Sequence, residues 1–273
     1  MNIEKSPETT WLSVVTVVRN DLEGFSATVR SLAQQDLSRV QFIVVDSSDD
    51  AGEIKGILKN FPEVSFEYHW VPAEGIYSAM NNGLRVARGD YIHFANAGDV
   101  YYSSSTLYSL RQQVIPVTPE WVIGRISILS EHGDHVVTPT INYRREKKRL
   151  FARGIFPAHQ GTLIRTELLR SLGGFDTGYL IAADYHAALR MSVISDPLVL
   201  SEVIMVFKEG GTSTRQWRES FREFHRARKN VFRPRGVSSM REYLDSYMHA
   251  GKVWFYRDVL ERFATQRKGR DVR

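Results

Sequence analysis

Apolar positions along the first hundred residues switch between two periods. Leu12 to Val18 is a β-branched run with one Thr inside, the signature of a strand buried on both faces. Glu23 to Gln34 places Phe25, Val29, Leu32 and Ala33 at helical spacing. The alternation repeats: strand at Gln41 to Val45, helix at Glu53 to Asn60, strand at Ser65 to Trp70, helix at Ile76 to Ala87, strand at Tyr91 to Phe94. Strands alternating with helices predict a parallel, doubly wound α/β sheet.

Beyond residue 100 the order changes. Ser105 to Val114 has helical spacing, with serines before it as caps. Val122 to Leu129 and His135 to Thr138 pair as a hairpin through Glu131-His132-Gly133-Asp134. A strand at Gly161 to Arg165, helices at Thr166 to Leu172 and Asp184 to Val193, and a strand near Leu198 to Phe207 follow. From Gln216 the chain is expected to be helical, with a break near Pro234-Arg235-Gly236. This division predicts a catalytic domain over 1–207, with a first half about 11–100 and a second about 101–207, and a basic helical extension over 208–273.

In an open α/β sheet, ligands bind beyond the carboxyl ends of the strands. The four turns there hold Arg19-Asn20-Asp21, Asp46-Ser47-Ser48-Asp49-Asp50, Glu74-Gly75 and Asn96-Ala97-Gly98-Asp99. Each alone suits an ordinary turn or cap; four at one edge point to a ligand. No Gly-x-Gly-x-x-Gly follows the first strand and no P-loop motif occurs, which counts against a dinucleotide or P-loop fold and against a nucleotidyltransferase. A diphosphate at this edge would need a cation or basic side chains, and strand-end carboxylates can hold Mg²⁺ or Mn²⁺.

The charge is uneven. The net +5 divides into +9 from Lys208 onward and −4 before it. A basic tail fits an anionic membrane surface or a solvated helical face; as the sole support for nucleic acid it is weak, and no nucleic-acid partner is expected. There are no cysteines, which excludes disulfides and thiolate chemistry. No apolar run is long enough to span a bilayer, and the N-terminus lacks a signal-peptide pattern, so a cytoplasmic location is expected.

The ordered motifs resemble family 2 glycosyltransferases, which have the GT-A fold, from about Trp11 to Ser213. They are Ser13-Val14-Val15-Thr16-Val17-Val18-Arg19-Asn20, Ile43-Val44-Val45-Asp46-Ser47-Ser48, Glu74-Gly75-Ile76-Tyr77-Ser78-Ala79-Met80-Asn81-Asn82-Gly83, Ala87-Arg88-Gly89-Asp90 through Asn96-Ala97-Gly98-Asp99, His159-Gln160, and Gly174-Phe175-Asp176 through Ala182-Ala183-Asp184-Tyr185. The resemblance is to the branch acting on bacterial exopolysaccharides and envelope glycolipids. It implies a Rossmann-like, mostly parallel central sheet flanked by helices, with a C-terminal helical extension. It further implies a nucleotide-sugar donor, UDP by default with GDP and dTDP as alternatives, and a glycan or lipid-linked acceptor.

By this resemblance Asp46 contacts the base or ribose, and Thr16, Arg19, Gly75, Tyr77, Asn81 and Asn96 line the donor pocket. Asp99 matches the last carboxylate of a metal motif whose other positions are thinned to Asn96 and Gly98, leaving Mn²⁺ or Mg²⁺ with one acid. A non-catalytic nucleotide-binding homologue is the alternative this thinning keeps open. Asp184 matches the catalytic base of an inverting, single-displacement transfer, although Asp also suits a helix N-cap. The Gln-x-x-Arg-Trp signature of processive synthases is missing, Arg215-Gln216-Trp217-Arg218 sharing only its composition, which implies transfer of one sugar.

Arg153, His159 and Gln160 are candidate acceptor or phosphate contacts, with a structural role and a metal ligand as alternatives for His159. The basic run Arg144, Arg145, Lys147, Lys148, Arg149, Arg153 fits a solvated loop or a lipid diphosphate. Gly210-Gly211-Thr212-Ser213 fits a turn or a lid hinge. The apolar positions from Met240 to Phe263 fit a membrane interface, packing on the catalytic domain, or a homodimer contact.

Overall fold

A computed structural model describes residues 9–130, 133–152, 156–208 and 217–233. Arg153, 210–213, Arg215, Gln216 and the tail from 234 lie outside the described residues, as do the side chains of Trp217 and Arg218.

Strands β1 (Leu12–Val18), β2 (Val40–Asp46), β3 (Phe66–Trp70) and β4 (Tyr91–Phe94) alternate with helices α1 (Leu22–Ala33), α2 (Ala51–Leu58) and α3 (Ile76–Val86). β5 (Val100–Tyr101), α4 (Thr106–Val114), β6 (Trp121–Leu129), β7 (His135–Val137) and α5 (Tyr143–Ala152) follow. A 3-10 turn at His159–Gly161 leads into β8 (Thr162–Arg165), α6 (Thr166–Ser171), α7 (Ala183–Ile194), β9 (Leu198–Lys208) and α8 (Trp217–Phe232).

The strands form one sheet in the order β3-β2-β1-β4-β8-β6-β9-β5, with β7 paired on β6. β3, β2, β1 and β4 pair in parallel; β8 is antiparallel to both β4 and β6; β9 is parallel to β6 and antiparallel to β5. β1, β2, β3, β4, β6 and β9 therefore run in one direction, and the expected mostly parallel sheet is the one observed.

Every residue of β1 is buried, as a parallel strand covered on both faces requires. Val15, Ile43, Ile92, Phe94 and Ile164 face a core shared with α3 and α7. Their neighbours Val14, Phe42, Tyr91 and Leu163 face the opposite core, shared with α4. The period-2 alternation thus serves two helical layers.

Three local features differ from the sequence reading. Ser105 occupies the cap of α4 but makes no side-chain cap bond; Thr106 Oγ1 instead accepts from the Ser103 amide at 3.1 Å. The basic run around 144–149 is helical rather than a loop, because Tyr143 and Phe151, buried two turns apart, give it an inner face. β5 has two residues, too few to show a period.

Candidate functional site

Chain order reverses between β1 and β4, so their carboxyl ends flank a crevice at the topological switch point. Asp46 ends β2 and is fully buried. Its Oδ1 accepts from the Ser48 amide at 2.8 Å and its Oδ2 from the Tyr68 hydroxyl at 2.6 Å. Burial, then the Asp46 carboxylate, push the Tyr68 hydroxyl well above its ordinary pKa, keeping it a donor. The turns after β1 and β2 are clipped together: the Asn20 amide group donates to Asp49 at 2.9 Å and accepts from the Asp49 backbone at 3.0 Å.

The Asn96–Asp99 turn is held from α1. Thr28 Oγ1 donates to the Asn96 carbonyl at 3.2 Å and accepts from the Gly98 amide at 3.0 Å. Gly98 has φ 94°, a left-handed backbone that suits glycine. Asp99 is buried; its Oδ2 accepts from the Asn96 amide at 3.0 Å, and Gln160 Nε2 lies 3.5 Å from its Oδ1. Burial pushes the Asp99 carboxyl up to about 6, although nearby His159 and the hydrogen bonds pull the other way.

His93 in β4 fixes the 3-10 turn that carries Gln160. Its Nε2 lies 2.9 Å from the Gln160 carbonyl, which can only accept, so the ring proton sits there and Nδ1 accepts from the Tyr101 hydroxyl at 2.8 Å. Burial lowers the His93 pKa to about 4, so this histidine is neutral.

Asp184 stands in the first turn of α7, not at its cap; the cap is Ala182, which has no side-chain acceptor. Asp184 Oδ1 accepts from the Tyr185 amide at 2.8 Å, satisfying one of the N–H groups that a helix start leaves free. The helix dipole favours a carboxylate there. The Tyr77 hydroxyl lies 3.1 Å from the same oxygen and donates to the Ile181 carbonyl at 2.6 Å. Asp184 Oδ2 is left facing His159 Nδ1 at 3.5 Å.

The other nitrogen of His159, Nε2, is 3.0 Å from Asn96 Nδ2. An amide NH₂ only donates, so Nε2 accepts and the ring N–H points at Asp184. Burial lowers the His159 pKa, but the Asp184 hydrogen bond and charge outweigh it and the net shift is upward. His159 thus joins the strand-end turn of β4 to the carboxylate of α7.

The segment entering α7 hangs on α8. Glu223 is buried, and its carboxylate accepts from the backbone amides of Leu180, Ile181 and Ala182, each at 2.9 Å. α8 begins within the basic extension, yet it packs on α7 and holds the approach to Asp184. Sequence reasoning missed Glu223, Thr28, His93 and Tyr68. His93 lies within the block from Ala87 to Asp99 but there reads only as a strand position; the other three sit in no motif, and Glu223 is 39 residues from Asp184 in the chain.

The remaining expected residues divide. Thr16 is buried in β1, Arg19 is exposed on the turn after it, and Gly75 caps α3 with φ 103°. These lie at or near the crevice. Asn81 does not join them: its amide bonds both backbone groups of Phe175, at 2.8 Å each, clipping α3 to the Gly173-Gly174 turn. A Cβ on Gly174 would meet Asn81 Oδ1 at 2.4 Å, so that clip requires the glycine. Tyr77 faces Asp184 and Ile181.

Among the described residues there is no group of three or more His, Cys, Asp or Glu that could hold a metal ion. The Asp99 carboxylate and the buried Asn96 Oδ1, which has no hydrogen-bond partner among the described residues, are nonetheless hard oxygen donors of the kind Mg²⁺ and Mn²⁺ accept.

Comparison with known proteins settles the family. The profile described as Glycosyl transferase family 2 matches residues 13–173, more than half of the chain. The chain belongs to glycosyl transferase family 2. The enzyme is similar to an uncharacterized glycosyltransferase of Mycobacterium tuberculosis, 29% identical over 210 residues, covering 74% of this chain and 77% of that one. It is also similar to a PGL/p-HBAD biosynthesis glycosyltransferase of Mycobacterium bovis, 24% identical over 201 residues, covering 71% and 73%.

Two solved structures share the fold. Residues 1–349 of S. aureus TarS, in complex with UDP-GlcNAc, superpose with a TM-score of 0.66 at 16% identity, covering 90% of this chain and 73% of that one. Mannosyltransferase PcManGT from Pyrobaculum calidifontis, in complex with GDP-Man and Mn²⁺, gives 0.62 at 15% identity, covering 96% and 79%. The GT-A fold is therefore shown, and the chain is a glycosyltransferase. The profile match ends before Asp184 and Glu223.

Proposed function

We propose that this glycosyltransferase moves one sugar from a nucleotide-diphosphate sugar to a hydroxyl of a glycan or lipid-linked acceptor in bacterial envelope or exopolysaccharide synthesis, inverting the anomeric centre and acting without processive extension. The observation that carries the reading is the run Asn96–His159–Asp184, in which one imidazole ties the donor-side turn to a carboxylate. UDP is the favoured nucleotide, supported by the TarS complex with UDP-GlcNAc; the PcManGT complex with GDP-Man makes GDP the next to test.

Asp46 takes the base or ribose, with Thr16, Arg19, Gly75 and Asn96 around the donor. Asp184 accepts the proton of the acceptor hydroxyl as its oxygen attacks the anomeric carbon and the bond to the diphosphate breaks. The imidazole N–H of His159 aims Oδ2. Asp99, with Asn96 Oδ1, would hold Mn²⁺ or Mg²⁺, which supplies charge neutralisation on the departing diphosphate. Gln160 steadies Asp99, and the weight on Tyr77 and Asn81 moves from donor contacts to support of the acceptor side.

Among the described residues no helix is long and apolar enough to cross a membrane. Peripheral attachment to the inner face of the cytoplasmic membrane through the basic extension is the location this reading favours.

Nucleotide release is to be measured with UDP-GlcNAc, UDP-glucose and GDP-mannose, with and without Mn²⁺, for wild type and Asp184→Asn. Turnover with one donor and its collapse in the variant are expected. Absence of turnover with every donor, or full activity in Asp184→Asn, would sink the mechanism.

A further inference from the structure

A cavity of about 510 Å³ lies away from Asp46, between α5, β6 and β9. That volume falls within the roughly 300–1,000 Å³ of small-molecule sites. Its walls are apolar, with Ile126, Ile141, Leu150, Phe151, Phe156 and Val199 among them. Arg125, Lys147 and Arg149 line it with Glu146, and Lys147 is also paired with Asp196 at 2.6 Å, so the rim is basic chiefly through Arg125 and Arg149. α5 as a whole carries Arg144, Arg145, Lys147, Lys148 and Arg149 against Glu146, with Asp196 taking Arg144 and Lys147 from outside the helix.

Its position ties it to the site. β6 runs parallel to β4, so Gly124 to Ile126, past the level of Ile123 paired with Thr162, lie toward the catalytic edge. Phe156, Pro157 and Ala158 form a wall of the cavity, and the next residue is His159, whose Nδ1 is 3.5 Å from Asp184. Pro157 also lines the small void that His159 and Asp184 border. The sheet approaches closely here: a Cβ on Gly161 would meet the Gly124 carbonyl at 2.9 Å, so the 3-10 turn rests directly on the strand flooring the cavity.

We propose that this cavity is a binding site for the apolar aglycone of the acceptor, a single alkyl- or aryl-bearing molecule with a phosphate-type anion beside its apolar part. The apolar walls take the hydrocarbon out of water, the basic rim takes the anion, and the sugar or hydroxyl end extends past Pro157 to Asp184. A polar glycan acceptor would leave these walls uncompensated, and a flat bilayer surface would not enter the cavity. The assignment as an acceptor site rests on the proposed role of Asp184; the binding itself does not.

The test uses the full chain and decyl phosphate below its micelle concentration, with decanol, inorganic phosphate and phosphatidylglycerol vesicles as separate arms. Leu150→Trp fills the cavity, and Arg149→Glu changes an exposed rim charge that the fold does not need. Saturable binding of decyl phosphate is expected, about tenfold or more weaker for decanol, for phosphate and for both variants, since each lacks one of the two attractions. UDP binding, read by thermal shift, is expected to persist in both variants. No saturable decyl phosphate binding, equal binding to wild type and both variants, or binding to vesicles alone would overturn the proposal. Decyl phosphate binding without any nucleotide binding would instead sink the donor reading and leave the cavity assignment standing.

Discussion

In the β1–β4 half, the residues facing the crevice sit where strands end, and Asp46 among them is held by groups of the sheet edge itself. Asp46 closes β2 and is fixed by Ser48 two residues on and by Tyr68 on the adjacent β3. In the second half, Asp184 sits in a helix and depends on partners from three other places. These are Tyr77 on α3, His159 on the 3-10 turn, and Glu223 on α8 through the Leu180–Ala182 amides. The parallel half builds its site from topology, since ends of neighbouring strands must meet. The second half builds its site from long-range packing, where each partner is placed by a different element.

The largest expected effect separates the halves by function. Asp184→Asn keeps the shape and one acceptor oxygen but removes the base. Turnover should fall about 10²–10⁴-fold while UDP affinity measured by titration stays put. A matching loss of UDP affinity would mean the two halves are not separate in role.

The link between the halves should show in pH dependence. His93 is buried and neutral, with a folded pKa of about 4 against 6.5 when unfolded. Between those values the unfolded chain binds more protons, so the His93 contribution to stability falls as pH drops from 6.5 toward 4 and is whole above 6.5. That loss should approach about 3 kcal/mol at and below the lower value. The Asp99 carboxyl, pushed up to about 6, contributes in the opposite sense over much of that range. Chemical denaturation of wild type and His93→Gln across the range reads the His93 part as the difference between the two curves.

Glu223→Gln tests whether the second half rests on remote packing. One carboxylate oxygen becomes an NH₂ facing backbone N–H groups. A stability loss of about 1–3 kcal/mol is expected. Turnover should drop with UDP affinity unchanged, because the carboxylate of Asp184 loses its alignment. Kinetics that separate kcat from donor KM decide this; an effect on donor KM alone would refute the role.

The smallest effect belongs to the first half. Tyr68→Phe removes one bond to Asp46 and leaves the Ser48 amide in place. UDP affinity should weaken by a factor of about three to ten, on the order of 1 kcal/mol. Isothermal titration reads it, and no change in kcat is expected.

The halves also differ in how far the chain itself announced them. β1 to β4 and α1 to α3 were legible because burial on one or two faces forces a clean period, and Asp46 and Asp99 stand at fixed offsets after apolar runs. α5 was not, since six charged residues mask the two aromatics that make its inner face. Asn81 and Tyr77 sit in a motif that reads as donor-binding, but their polar atoms meet Phe175 and Ile181, contacts that no local pattern encodes.

The sequence by itself determined the alternation of elements and the carboxylate-rich strand ends, because these follow from periodicity and spacing along the chain, while its ordered motif blocks carried the family resemblance. Only the tertiary structure decided that His159 bridges Asn96 and Asp184, that Glu223 holds the entry to α7, and that an apolar cavity with a basic rim opens beside them. Hydrogen-bond geometry and cavity shape depend on which distant elements are brought within a few ångströms, and that is set by packing of the whole sheet and its helices.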